Sequence, residues 1–306
     1  MMGKTKISKS MASMVAVAAL LAALAGCSDD KSTPPPVVHQ PVIHQLTDND
    51  VYEANPVYSP DGQWVLFERD VNGNRDLWRM PAAGGTMEQL TTDPGFDTSP
   101  DFSPDGTRIV FESDRTGDKN LWVIDLSAAS PVPTALTSGA WDDGDPAWSP
   151  DGARIAFSSN RSGSQEIWTL AADGSDATQV TYVGTGAYMR TPGWSPLSDA
   201  LVCEGTPTGL PALYIVTLSD GSLERITPEP GYEGHPDWSP DGTQIAYEST
   251  NSGFMEVWVV ALDDLASLQV TVDGGYWPRW ADDGQSIVFG NYGAGEPNVY
   301  VVEVDW

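Results

Sequence analysis

Along most of the chain apolar and polar residues alternate in short runs, each broken by Pro, Asp or Gly, as in Arg154-Ile155-Ala156-Phe157. A period of two belongs to a half-buried β-strand, whose side chains point alternately to the two faces of a sheet. The breaks recur as well as the runs. Self-similarity at a fixed spacing makes the repeat the unit of the fold.

Ser59-Pro60-Asp61-Gly62 returns as Ser103-Pro104-Asp105-Gly106, Ser149-Pro150-Asp151-Gly152 and Ser239-Pro240-Asp241-Gly242, with looser copies at Ser195-Pro196-Leu197-Ser198 and Ala281-Asp282-Asp283-Gly284. The copies lie 44, 46, 46, 44 and 42 residues apart, the length of a four-stranded blade. A proline precedes each by three residues (Pro56, Pro100, Pro146, Pro192, Pro236, Pro278) and an aromatic precedes each by one. Further on come a glycine (Gly73, Gly117, Gly163, Gly209, Gly253, Gly295) and, five residues later, an aromatic (Trp78, Trp122, Trp168, Tyr214, Trp258, Tyr300). Asp-Gly and the second glycine turn two hairpins, and the late aromatic packs between neighbouring sheets. No such sheet buries both faces alone, but a ring of them does.

Repeats end in Leu-Thr or its equivalent, as at Gln89-Leu90-Thr91 and Gln269-Val270-Thr271. The same ending stands before the first repeat at Gln45-Leu46-Thr47, while the sixth repeat stops after its third strand, Asn298 to Val304. The expectation is an all-β, six-bladed β-propeller over 41–306. Its blades are four-stranded and antiparallel, and the last is closed by the amino-terminal strand Pro41 to Thr47, which protects two edges.

The Ser-Pro-Asp-Gly turn, the strand ending in Phe, the Arg-x-Gly hairpins (Arg115-Thr116-Gly117, Arg161-Ser162-Gly163) and the Leu-Thr ending resemble TolB-type propeller repeats over residues 41–306. The resemblance implies the fold but not one activity, since such propellers host binding proteins, lyases and peptidase accessory domains. The segment between Cys27 and the first blade has no room for TolB's amino-terminal α/β domain. The resemblance is therefore to the family and not to TolB itself.

Residues 1–26 read as a signal peptide: Lys4, Lys6 and Lys9 precede the apolar run Met11 to Gly26. As a helix that run spans about 24 Å, short of the ~30 Å hydrocarbon core of a bilayer. It ends Leu24-Ala25-Gly26-Cys27, which resembles the bacterial lipobox and implies lipidation of Cys27 by diacylglycerol, with palmitate as the expected acyl chain. Residues 27–40 are then the lipidated cysteine and a Pro-rich flexible tether, reaching at most about 45 Å when extended. Ser28 after the cysteine resembles outer-membrane sorting. The expected location is the bacterial cell envelope, on the periplasmic or the surface face of the outer membrane.

With 15 Lys+Arg against 43 Asp+Glu, the chain carries a formal charge of −28, and losing the leader's lysines makes it more acidic. Such a field repels nucleic acid and anionic lipid, so membrane attachment falls to the lipid anchor alone. It favours an envelope protein or peptide with basic segments, or serves solubility only. Cys27 and Cys203 provide no disulfide framework, and a monomeric propeller must rest on its core.

Chemistry is harder to find. No Gly-x-Ser-x-Gly elbow is present, and of three histidines only His235 lies in the repeats. Oligogalacturonate lyases, which share such repeats, carry several metal-binding histidines, a pattern this chain departs from. Cys203 stands where other repeats have Phe67, Phe111, Phe157, Tyr247 and Phe289, a core position. No catalytic residue is assigned. Aligned on the prolines, the strand-entry loops gather Glu53, Asp97, Asp142, Asp143, Asp145, Arg190, Glu233, His235, Tyr276 and Trp277, an expected rim around one channel opening. Three readings stay open. The rim takes a partner segment; or Asp143, Asp145 and Glu233 hold Ca²⁺ through oxygen ligands; or the acids are solvated surface. A scaffold is expected, with a carbohydrate-active enzyme (a lyase or hydrolase using rim carboxylates and possible Ca²⁺) as the alternative.

Overall fold

A computed structural model describes residues 41–227, 231–293 and 295–304. The signal-peptide, Cys27 and tether readings lie outside the described residues. Gln40–Trp306 form one compact unit. No described helix is long and apolar enough to cross a membrane.

Six four-stranded antiparallel sheets make up this unit, and within each sheet successive strands pair, save for the chain's first described strand, which pairs with the last. Blade 1 consists of an inner strand Glu53–Tyr58, a second Trp64–Val71, a third Asn74–Pro81 and an outer strand Glu88–Gln89. The inner strands of blades 2 to 6 are Asp97–Phe102, Asp143–Trp148, Met189–Trp194, Glu233–Trp238 and Tyr276–Trp280. Each inner strand contacts those of the neighbouring blades, and the first meets the last, so the sheets form a closed propeller. Closure follows the expected route. Val42–Gln45 is the outer strand of blade 6, pairing Val42 with Glu303 and Gln45 with Tyr300.

The core lies between blades. Phe67, Phe111, Phe157, Cys203, Tyr247 and Phe289, the equivalent residue of each second strand, are wholly buried. Burial pushes the Cys203 thiol up, which keeps it protonated and inert. In the repeated turn, Ser103 Oγ donates to Asp105 (2.6 Å) and accepts from the Arg108 amide (2.9 Å), while Asp105 caps the Thr107 amide. These bonds, the one from Ser103 first, hold the exposed Asp105 carboxyl down at about 2. Gly106 sits at φ 68°, which the turn requires.

The Leu-Thr ending also has a structural cause. In all six blades its threonine hydroxyl accepts the backbone amide of the third strand (Leu77, Leu121, Ile167, Leu213, Val257 and Val299), each at 2.9 Å. Most outer strands are only two or three residues long, so this side-chain bond fastens what the ladder alone holds briefly.

Candidate functional site

The channel is built by one repeated irregularity. Ahead of each inner-strand proline, Asn55, Ser99, Asp145, Thr191, His235 and Trp277 sit in the left-handed region at φ 46–52°. The ladder shifts register there in every blade, for example between Gly144 and Ala147. A bulge adds a residue and re-aims its side chain. All six of these side chains line a small axial cavity of about 40 Å³.

The bulge also decides where the predicted acids go. Glu53, Asp97, Asp143 and Glu233, at the start of their strands, have no exposed surface. They do not face the channel, which corrects their placement on the rim. Arg69 binds Glu53 at 2.7 Å, Arg115 grips both oxygens of Asp97 at 2.7 and 2.8 Å, and Arg161 meets Asp143 at 2.6 Å. Asn251 reaches Glu233 at 3.3 Å. These acids brace their own blades. Asp143 and Glu233 are thereby engaged with protein, and the oxygen set expected for Ca²⁺ is not gathered with Asp145. Among the described residues no group of three or more His, Cys, Asp or Glu is placed to hold a metal ion.

Of the other predicted residues, Asp145, His235 and Trp277 reach the axial cavity. Tyr276 packs on Trp277 with ring centres 5.4 Å apart and meets Tyr292 at 4.8 Å. Asp142 is exposed and braces its loop through Asn160.

A second set of acids escaped the sequence reading. Glu68, Glu112, Glu204 and Glu248 follow directly after the core residue of their second strands and are buried beside the channel mouth. Each has a cationic partner nearer solvent: Arg75 at 3.8 Å, Lys119 at 2.9 Å, Arg190 at 2.6 Å and His235 at 2.9 Å. Their side chains are 36, 52, 39 and 30 % exposed, against 1, 9, 0 and 4 % for the acids. The mouth therefore offers cations to solvent with carboxylates beneath them. The signal available in the sequence was the repeated core-residue–Glu dipeptide, as in Phe67-Glu68, Phe111-Glu112 and Tyr247-Glu248.

These acids also join blades. Glu112 accepts the Asp145 amide at 3.2 Å, and Glu248 accepts the Trp277 amide at 2.9 Å. Glu204 takes Arg190 within its blade and the Tyr232 hydroxyl from the next at 3.1 Å. Gly234 leaves room for it, since a Cβ there would stand 2.4 Å from Glu204 Oε2. Burial pulls the His235 imidazole down, but the Glu248 carboxylate outweighs it and lifts His235 to about 9. Glu248 is correspondingly held low despite its own burial.

Antiparallel pairing puts the loops before each inner strand at the same end as the hairpins joining second and third strands. This entry face carries the exposed Phe96 (45 %), Trp141 (41 %), Phe254 (78 %) and Tyr292 (39 %). At the opposite mouth a cavity of about 430 Å³ is lined by Phe102, Trp148, Trp194, Trp238 and Trp280. Arg279 borders both cavities, with Asp237 at 3.4 Å.

Residues 41–131, 94–191 and 186–306 each match the family model of the TolB beta propeller domain. Among solved structures, a protein assigned as TolB from Agrobacterium tumefaciens is similar at 20 % identity with a TM-score of 0.65, over 86 % of this chain and 97 % of that one. TolB from Acinetobacter baumannii is similar at 20 % identity and TM-score 0.64, over 83 % of this chain and 63 % of that one. An oligogalacturonate lyase in complex with manganese gives 16 % identity and TM-score 0.60, over 86 % and 93 %. At such identities these likenesses establish the fold alone.

Proposed function

The chain belongs to the TolB beta propeller domain family, and from that premise we propose that it is a noncatalytic scaffold of the bacterial envelope that docks a partner protein on its entry face. The observation that carries this reading is the set of exposed aromatics, Phe96, Trp141, Phe254 and Tyr292, on the face whose channel mouth is lined by His235, Trp277 and Asp145. Aromatic side chains are the usual anchors of protein interfaces, and the polar pairs at the mouth supply the surrounding hydrogen bonds. The charge of −28 draws partners with basic segments at long range.

In the same reading Cys27 carries the lipid, and the tether holds the propeller close to the outer membrane. A palmitate-labelling experiment tests the anchor: the intact chain takes label and sediments with membranes, and Cys27→Ser does neither. Label retained by Cys27→Ser would remove the anchor from the account.

Docking is tested separately with the full chain and its partner from the envelope. Replacing Phe96, Trp141 and Phe254 together by Ser weakens binding at least about tenfold, the loss of a few interface anchors. Leu197→Ser, on the opposite face and at least as exposed as any of the three, leaves it unchanged. Unaltered binding in the triple variant would overturn the docking face.

The carbohydrate-enzyme reading has less support. It rested on Asp142, Asp143, Asp145 and His235, of which Asp143 is buried against Arg161 and His235 is tied to Glu248.

A further inference from the structure

The mouth opposite the entry face encloses about 430 Å³. One aromatic from each blade walls it: Tyr58, Phe102, Trp148, Trp194, Trp238 and Trp280. Each of these directly precedes a repeated turn, and the turn prolines edge the opening. The charged groups of the cavity are Asp101, Asp237, Asp282 and Arg279. All four keep accessible surface. The side chains of Asp237 and Arg279 are 19 and 29 % exposed, Asp101 is half-buried and Asp282 is exposed.

These charges do not balance. Arg279 reaches Asp237 at 3.4 Å. Asp101 accepts the Trp148 amide at 2.6 Å and forms no direct ion pair with a described residue. Three carboxylates therefore share one guanidinium. Burial first of all pushes the Asp101 carboxyl up to about 6, with Arg279 lowering it and Asp237 raising it. At neutral pH it is charged and short of a counter-ion, which a cationic ligand would supply. The walls decide which cation. A metal ion such as Ca²⁺ takes six to eight oxygen ligands, and among the described residues no group of three or more His, Cys, Asp or Glu is placed to hold one. An anionic ligand would add to the excess of negative charge, and a neutral sugar would leave it standing. An alkylated ammonium carries its charge inside an apolar shell, so it suits aromatic walls and carboxylates together. The cavity falls within the ~300–1,000 Å³ of small-molecule sites. We propose that this mouth binds a small quaternary ammonium compound, its positive centre beside Asp101 and its alkyl groups against the aromatic walls. This site lies on the face away from the docking surface and goes beyond the docking reading; either stands without the other.

The test is calorimetric titration of the full chain in a nonionic detergent, with choline, neohexyl alcohol (its uncharged carbon isostere), calcium chloride, sodium acetate and glucose as probes. Choline binds with a Kd below about 1 mM. The isostere keeps the shape without the charge and binds at least about tenfold more weakly. Asp101→Asn removes the charge but keeps an oxygen for the Trp148 amide, and it weakens choline binding about tenfold. An isostere that binds as well as choline would overturn the proposal. So would tighter binding of calcium, acetate or glucose than of choline, undiminished choline binding to Asp101→Asn, or no choline binding up to about 10 mM. The probe series on the unaltered protein decides the matter even if Asp101→Asn does not fold.

Discussion

His235 shows how one residue's environment sets its chemistry at the mouth. Its pKa of about 9 means the imidazole is charged at neutral pH and serves as a fixed cation rather than a proton shuttle. A group with a raised folded pKa contributes stability that is complete below its unfolded value, near 6.5, and is lost as pH rises through about 9. The propeller therefore loses stability between those values, and Glu248→Gln abolishes the charged partner and flattens the loss. Imidazole titration by NMR checks this directly: a midpoint near 6.5 in the intact protein would contradict it. Gly275 offers a second residue-scale case. A Cβ there would lie 2.9 Å from the Val257 nitrogen and 2.8 Å from Thr271 Oγ1, and backbone cannot yield cheaply. Gly275→Ala is expected to cost about 1–3 kcal/mol, typical of overpacking, measured by denaturant titration.

At the scale of strands, the turns, the strand order and the closing strand were legible because each rests on a local signal repeated six times. Ser-Pro-Asp-Gly encodes its own hydrogen bonds, as Ser103 and Asp105 show. Channel geometry was not legible to the same depth. Alignment on the prolines put Asp145, His235 and Trp277 at the opening, and all three line the channel. Two residues earlier, it set Glu53, Asp97, Asp143 and Glu233 on the rim, where they are not. The difference is the left-handed bulge, adopted by six different non-glycine residues, of which Ser99, Thr191 and Trp277 are of types that seldom take it. The pairing of Glu68 with Arg75, or Glu112 with Lys119, joins residues of different strands and needs the ladder register. The Thr of the Leu-Thr ending, read as a strand boundary, proved to be a clasp. Thr271→Val removes its bonds to the Val257 amide and to Glu256 (2.6 Å). It should cost about 1–3 kcal/mol for the buried polar groups left behind, with faster hydrogen exchange confined at first to Ser267–Gln269.

The whole molecule combines a ring closed by its own first strand with a strongly acidic surface and a mouth edged by cations. The two charge layers act over different distances. The net charge of −28 steers approach and is screened beyond roughly 10 Å at 0.1 M salt, whereas the buried pairs at the mouth are screened far less. Association with a basic partner should therefore slow as salt rises while dissociation changes little, a split that stopped-flow kinetics reads. The central claim is that partners meet the propeller at its entry face, and site-specific photocrosslinking in intact cells tests it most directly. A photoreactive residue in place of Phe254, 78 % exposed on the entry face, is predicted to yield a discrete adduct, and one in place of Leu197, 82 % exposed on the opposite face, none. Adducts from Leu197 alone, or equal labelling from both positions, would contradict the account.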